Sequence, residues 1–236
     1  MKINQIYNWD CIEILKWDTI ENNSIDLILT DPPYKFEWHG RWMAKNREYL
    51  KHWMDKIWTN ENTDIYTDEF MELLLKKLKY PNMIFFCNKA QIRDILNMAD
   101  KLKFSFDILV LCKTAPTPLT NNQRLPDKEF AIHLFKWAVV KWNYKTKRTF
   151  RTAPNYKDTT INHPTVKPLE VIEQMILNCT NEWETVLDCY LWSWTTAVAC
   201  KNTNRNYIWI EINPEYVEIA ENRLKEVDRI NQQRLF

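Results

Sequence analysis

Glycine is what this sequence lacks: one residue, Gly40, in 236. At the ordinary usage of about 7%, a chain of this length holds roughly seventeen. Only glycine enters the φ > 0 regions without steric cost, so turns, helix ends and ligand-approaching loops normally depend on it. The other absences exclude whole classes. The six cysteines are scattered, with no Cys-x-x-Cys pair and no Cys/His cluster, so they read as reduced thiols, and no metal site is expected. No apolar run reaches membrane-spanning length and the start has no signal-peptide core, so a soluble, cytoplasmic protein with no membrane partner is expected. Disorder and low complexity are excluded by an apolar share of 45% and an aromatic share of 14%.

In place of glycine stands tryptophan, twelve times. The length suits one domain, 1–236, large enough to bury a core without disulfide or metal staples. Net charge is +1, but it is unevenly spread. Residues 136–157 carry Lys136, Lys141, Lys145, Lys147, Arg148, Arg151 and Lys157 with no acidic residue, whereas the segment from Glu211 onward is rich in glutamate. On charge alone the basic run reads as a solvated loop.

Short apolar runs alternate with helical patterns, which predicts an α/β sheet. The strand candidates are Ile3–Tyr7, Ile25–Thr30, Met83–Cys87, Asp107–Cys112, Phe130–Phe135, Thr185–Leu187 and Tyr207–Ile210. Helical spacing marks Lys89–Leu102, Pro168–Asn178 and Pro214–Val227. Two stretches, at about 35–67 and 114–162, lack a clean period and are long for loops, so they read as functional insertions.

Three places carry chemistry. Asp31-Pro32-Pro33-Tyr34 directly follows a strand candidate. Two prolines stiffen the backbone there and fix a carboxylate and an aromatic ring at the sheet edge, where ligands of open α/β sheets bind. A rigid turn explains the same four residues equally well. The segment from Thr185 to Ala199 reads as strand, loop and helix, with Ser193, Thr195 and Thr196 suited to a helix N-terminus. Tyr207–Glu211 is a strand ending in a carboxylate 23 residues after Asp188, a spacing that suits a grip on ribose hydroxyls.

Together these residues resemble the DNA amino-methyltransferases that use S-adenosylmethionine. Asp31–Tyr34 matches the family's DPPY motif, and His163–Pro168 resembles its H-P-T-x-K-P segment. Asp188–Thr196 resembles D-x-F-x-G-S-G-T-T, Tyr207–Tyr216 resembles F-I-G-I-E-I-N-P-E-Y, and Asn8–Cys11 resembles N-G-D-C. The resemblance spans roughly residues 3 to 227, with the catalytic motif first and the cofactor loop last, as in the β arrangement of these enzymes. It implies a Rossmann-like methyltransferase fold: a mostly parallel, doubly wound α/β sheet with circularly permuted motif order.

The departures from the family concentrate in one residue type. Trp9, Trp183, Trp192, Trp194 and Trp209 stand where the family has glycine, and Trp137 and Trp142 occupy turn-like places. Two indoles at 192 and 194 would fill the cofactor pocket. The twelve codons are therefore expected to be UGA, rendered as Trp in this sequence and read as Gly in the source organism. The twelve added to Gly40 make thirteen glycines, close to ordinary usage. A Trp-rich base-stacking surface and a decayed homologue are the competing explanations.

The resemblance also assigns roles. Asp31, Pro32, Pro33 and Tyr34 are the catalytic residues: Tyr34 stacks on a flipped base while Asp31 and the Pro32 carbonyl accept its amino hydrogens. S-adenosylmethionine is the cofactor. Asp10 is expected at its adenine end, Glu211 on its ribose, and the loop with Asp188, Tyr190, Trp192, Ser193, Trp194 and Thr195 around its methionine part. Thr165 and Lys167 are expected beside its carboxylate. DNA is the partner, with phosphate contacts from Lys145, Lys147, Arg148 and Arg151 and a cleft lined by Arg41, Lys45 and Arg47. A homodimer and a cognate restriction endonuclease are further partners the resemblance allows. The expected reaction is site-specific methylation of adenine N6. Cytosine-N4 methylation is the alternative, or non-catalytic DNA binding if the tryptophans are genuine.

Overall fold

Eight short strands carry the apolar runs of the chain, and in the computed structural model they form one sheet. The structure describes residues 2–17, 19–34, 66–114, 116, 124–125, 127–137, 140, 146–153, 167–191 and 195–233. The strands are β1 (Gln5–Asn8), β2 (Leu27–Thr30), β3 (Asn82–Cys87), β4 (Ser105–Lys113), β5 (Lys128–Phe135), β6 (Phe150–Ala153), β7 (Thr185–Asp188) and β8 (Asn206–Glu211). Their order across the sheet is β1-β8-β7-β2-β3-β5-β4-β6. All neighbouring pairs are parallel except the two that β5 makes with β3 and β4. This is the mostly parallel, doubly wound sheet the sequence predicts.

The helices are α1 (Cys11–Lys16), α2 (Asp68–Lys77), α3 (Ile92–Leu102), α4 (Leu169–Cys179), α5 (Thr195–Asn202) and α6 (Pro214–Gln233). They cover both faces, which is why β2 and β3 are buried at every position and read as continuous apolar runs. On one face Ile28, Met83 and Phe85 meet Phe70 and Leu74 of α2 and Ile95 of α3. On the other, Leu27, Leu29 and Ile84 meet Ile172 and Ile176 of α4 and Ala197 of α5. Among the described residues no helix is long and apolar enough to cross a membrane.

Three elements differ from the sequence expectation. Helix α1 is one and a half turns long and is set by its cap: an Asp10 carboxylate oxygen accepts from the Ile12 and Glu13 amides at 2.9 and 3.0 Å. Helix α2 begins at the end of the first presumed insertion, with Thr67 accepting from the Phe70 amide at 3.2 Å. Within the stretch 114–162 lie β5, which matches the strand candidate Phe130–Phe135, and β6, which no candidate marked. Strand β6 buries only Ala153 of its four residues, so it leaves no apolar period in the sequence and is recognisable only by its parallel pairing with β4.

Two tryptophans have a backbone conformation that their side chain opposes. Trp137 has φ 61° and Trp183 has φ 66°, and their side chains are 81% and 70% exposed. Left-handed backbone costs a residue with a Cβ roughly 1–2 kcal/mol, and neither indole gains burial that would offset it. Replacing Trp183 by glycine is expected to raise stability by roughly 0.5–1 kcal/mol in urea unfolding, after the extra chain entropy of glycine is subtracted. A loss of stability would remove the case for glycine at that turn.

Candidate active site at the strand ends

Four adjacent strands, β1, β8, β7 and β2, run parallel, and each delivers a carboxylate at its C-terminal end. Glu211 and Asp188 are the last residues of β8 and β7, Asp31 is the first after β2, and Asp10 lies two residues past β1. The register sets Asn8 beside Glu211 and Asp188 beside Trp209, so the row is continuous. In an open α/β sheet this edge is the ligand crevice, because successive helices leave to opposite faces from it.

At the β2 end the charges form a closed cluster. The Lys167 ammonium, at the entry to α4 and only 2% exposed, lies 2.8 Å from Asp31 Oδ2 and 3.5 Å from Glu129 Oε2. It donates to the Tyr34 hydroxyl at 3.0 Å and sits 5.0 Å from the centre of the Phe86 ring. Lys113 holds the other Glu129 oxygen at 2.6 Å. Burial opposes the charge on Lys167, but Asp31, Tyr34 and Glu129 outweigh it and hold the amine well above the usual lysine range. Burial likewise opposes ionised Glu129, and the two lysines reverse the balance and lower it. Asp31 Oδ1 is buried and has no hydrogen-bond partner among the described residues. An anionic acceptor kept dry and unpartnered is costly unless a ligand completes it.

The proline loop is held from the next strand. Gln91, fully buried at the start of α3, donates to the Pro33 carbonyl at 2.9 Å, and its own oxygen accepts from the Asn88 amide at 3.2 Å. The β7 end is tied to the same place. Thr30, the residue before Asp31, donates to Asp188 Oδ1 at 2.7 Å, and the Tyr190 amide donates to the same oxygen at 3.1 Å. Burial nevertheless pushes the Asp188 carboxyl up to about 7. The Thr195 hydroxyl donates to the Lys167 carbonyl at 3.2 Å. Burial also pushes Glu211 up to about 7, although the Asn213 amide donates to it at 2.8 Å. Tyr190 is half-buried against Phe70, with ring centres 6.4 Å apart.

The structure thus brings Asp10, Asp31, Pro32, Pro33, Tyr34, Lys167, Asp188, Tyr190, Thr195 and Glu211 to one edge. The Lys167 ammonium faces the carboxylates of Asp31 and Glu129. Lys147 and Arg148 are exposed just before β6. Arg151 is half-buried and donates to the Thr146 carbonyl. Thr165, Trp192, Ser193, Trp194, Arg41, Lys45, Arg47 and Lys145 lie outside the described residues. Sequence reasoning missed Glu129, Lys113, Gln91 and Thr30. Only the alternation of Glu129 with the buried Ala131 and His133 along β5 hinted that this glutamate points inward.

Comparison with known proteins agrees with this geometry. A family model described as DNA methylase, of the N6 and N4 type, matches residues 25–222. The type II methyltransferase M.HinfI of Haemophilus influenzae is 30% identical over 251 residues, covering 95% of this chain and 69% of that protein. The type II methyltransferase M1.MboII of Moraxella bovis is 27% identical, covering 93% of this chain and 96% of that one. Among solved structures, the M1.HpyAVI–SAM complex superposes with a TM-score of 0.72 at 28% identity, covering 93% of this chain and 98% of the other. The cytosine-N4-specific PvuII DNA methyltransferase superposes at 0.70 with 17% identity, covering 97% and 91%, which shows a shared fold.

The raised carboxyls have a consequence for the ligand-free chain. Unfolded aspartate and glutamate ionise near pH 4, whereas Asp188 and Glu211 in the folded chain do so near 7. Between those values the folded state holds protons the unfolded state has lost. The contribution of these two groups is therefore full below about pH 4 and lost as pH rises through 7. Urea unfolding at pH 5 and pH 8 is expected to give a smaller drop for Asp188→Asn than for the unsubstituted chain. An equal drop in both would contradict the burial argument.

Proposed function

The chain belongs to the DNA methylases of the N6 and N4 type, and from that premise we propose that its target is the N6 amino group of adenine. It is an S-adenosylmethionine-dependent DNA amino-methyltransferase related to the methyltransferases of type II restriction–modification. The observation that carries the finer reading is the aspartate that heads Asp31–Tyr34, with one buried oxygen left over for a donor. A serine at that place would favour cytosine N4.

The residues fit the cofactor. A row of carboxylates at adjacent strand ends suits a ligand that carries a sulfonium, an ammonium and ribose hydroxyls. S-adenosylmethionine supplies an electrophilic methyl group. In this reading Glu211 accepts from the ribose hydroxyls and Asp10 faces the adenine end. The Asp188–Thr195 loop, which includes Tyr190, surrounds the methionine part.

An exocyclic amino group is a poor nucleophile because its lone pair is delocalised into the ring, and it is hidden in the duplex. The base must therefore be rotated out, and Tyr34 offers a ring on which it stacks. Asp31 Oδ1 and the Pro32 carbonyl accept the two amino hydrogens, which draws the nitrogen toward tetrahedral geometry and aims its lone pair. Gln91 fixes the loop by holding the neighbouring Pro33 carbonyl. Catalysis is then orientation together with a carboxylate facing developing positive charge. Lys147, Arg148 and Arg151 are read as DNA-phosphate contacts.

The active form is proposed to carry glycine at the twelve tryptophan positions. Left-handed backbone at Trp137 and Trp183 supports this reading, as does the indole N–H of Trp209, buried without an acceptor among the described residues. UGA codons at all twelve positions are the expected result of reading the gene, and the chain isolated from its source is expected to have the mass of the glycine form. Ordinary UGG codons would end the proposal.

The deciding experiment is methylation mapping of DNA from cells that express the glycine form. N6-methyladenine at one recurring sequence is expected, and N4-methylcytosine would move the assignment to the other base. Asp31→Ala is expected to abolish transfer, by about a thousandfold or more, while cofactor affinity stays within about threefold. Full activity in that variant would refute the catalytic assignment.

A further inference from the structure

The Lys167 ammonium has three N–H donors, and three acceptors surround it from three separate elements. Asp31 Oδ2 comes from the end of β2, the Tyr34 hydroxyl from the proline loop, and Glu129 Oε2 from the start of β5. The amine is 2% exposed, so water does not compete for these places. Glu129 is itself held: Lys113 fixes its second oxygen at 2.6 Å from the end of β4. Two lysines and two carboxylates cancel in formal charge. The one polar atom left over among Asp31, Glu129, Lys113 and Lys167 is Asp31 Oδ1.

We propose that Glu129, clamped by Lys113, is a positioning residue of methyl transfer: it occupies the third donor of Lys167, so that Asp31 meets the lysine through Oδ2 alone and keeps Oδ1 for the amino group of the target base. The inference rests on the amino-methyltransferase reading above. Without the Glu129 oxygen, the acceptor left unused on the described groups that hold the amine is Asp31 Oδ1, and the lysine turns onto both oxygens of that carboxylate. Glu129 also shares the charge of the ammonium, so the negative charge of Asp31 is not spent on Lys167 and remains available to the amine as positive charge develops on it. The buried carboxylate thereby acts through the lysine and touches no substrate atom itself.

The test compares Glu129→Leu, Glu129→Gln and Lys113→Met in the glycine form of the full chain. Leucine removes both acceptor and charge, whereas glutamine returns an acceptor oxygen without charge. Single-turnover methyl transfer is expected to fall about a hundredfold in Glu129→Leu and about tenfold in Glu129→Gln, with the Kd for S-adenosylmethionine within about twofold in both. In Lys113→Met, which leaves Glu129 unclamped, a fall of about threefold is expected. Nitrogen-15 NMR of the labelled lysines reads the same contact without catalysis: the Lys167 ammonium hydrogens are expected to exchange with water faster in Glu129→Leu and Glu129→Gln. A wild-type rate in Glu129→Leu overturns the proposal, as does a glutamine variant no faster than leucine. Rate and cofactor affinity falling in step, or an unchanged Lys167 signal, overturns it as well. If Glu129→Leu does not fold, wild-type rates in both remaining variants overturn it. Failure of the unsubstituted glycine form to methylate any amino group would instead refute the functional reading, and the NMR comparison would still decide the Lys167 contact.

Discussion

The ion pair between Asp31 and the buried Lys167, 2.8 Å long, is the constraint on which the site depends. A buried ammonium is tolerated only when its donors are satisfied, and breaking such a pair on one side is generally costly. Every element at this edge can be understood as meeting that demand. Strand β2 ends where Asp31 must stand, Pro32 and Pro33 turn the chain so that Tyr34 reaches the same amine, and Gln91 holds the turn from α3. Thr195 reaches the Lys167 carbonyl from the start of α5. The lysine therefore joins the proline loop after β2 to the helix that follows β7. Thr30 does the same one residue earlier through Asp188.

Topology supplies what sequence proximity does not. A parallel strand brings its last residue to the crevice, and β1, β8, β7 and β2 each do so with an acidic group at or just past that residue. Strand β5 runs the other way, so its second residue, Glu129, comes to the edge that the parallel strands reach with their last. The partner strand β4 brings Lys113 there at its C-terminal end. One reversed strand in the sheet thus places a carboxylate and a lysine side by side at the edge where the carboxylate row lies. Their sequence separation of 16 residues gives no hint of contact.

This explains which parts of the molecule were legible in the sequence. The apolar runs of β2 and β3, buried on both faces, and the proline motif after β2 identify themselves because local stiffness and burial leave marks in composition. Glu129 left almost none, since a lone glutamate in a strand reads as solvated until the strand's direction and neighbours are known. Lys167 was legible as a motif member but not as a buried cation, because burial of a lysine is decided by Asp31 and Glu129, 136 and 38 residues away. Strand β6 has no period to read and exists through its pairing with β4. Helix α1 depends on one cap, Asp10, and the strand before it pairs with β8 at the far end of the chain.

The distribution of the tryptophans bears on what the molecule is. A base-stacking surface would gather exposed indoles beside the crevice. Among the described residues Trp9, next to Asp10, is half-exposed and packs against Trp17 with ring centres 5.6 Å apart, whereas Trp209 is fully buried. Trp183 precedes β7 and Trp137 follows the reversed β5, so both stand at the edge of the sheet opposite the carboxylate row. Decay explains the pattern no better. A chain that had lost its function would have no reason to keep Asp31 Oδ1 buried without a partner, or to retain Lys167, Glu129 and Lys113 in a charge-balanced cluster. Drift also has no preference for positions of left-handed backbone. The proposed reading of the tryptophans as glycine joins the turns at 137 and 183, the motif positions at 192, 194 and 209, and the missing glycine in a single change.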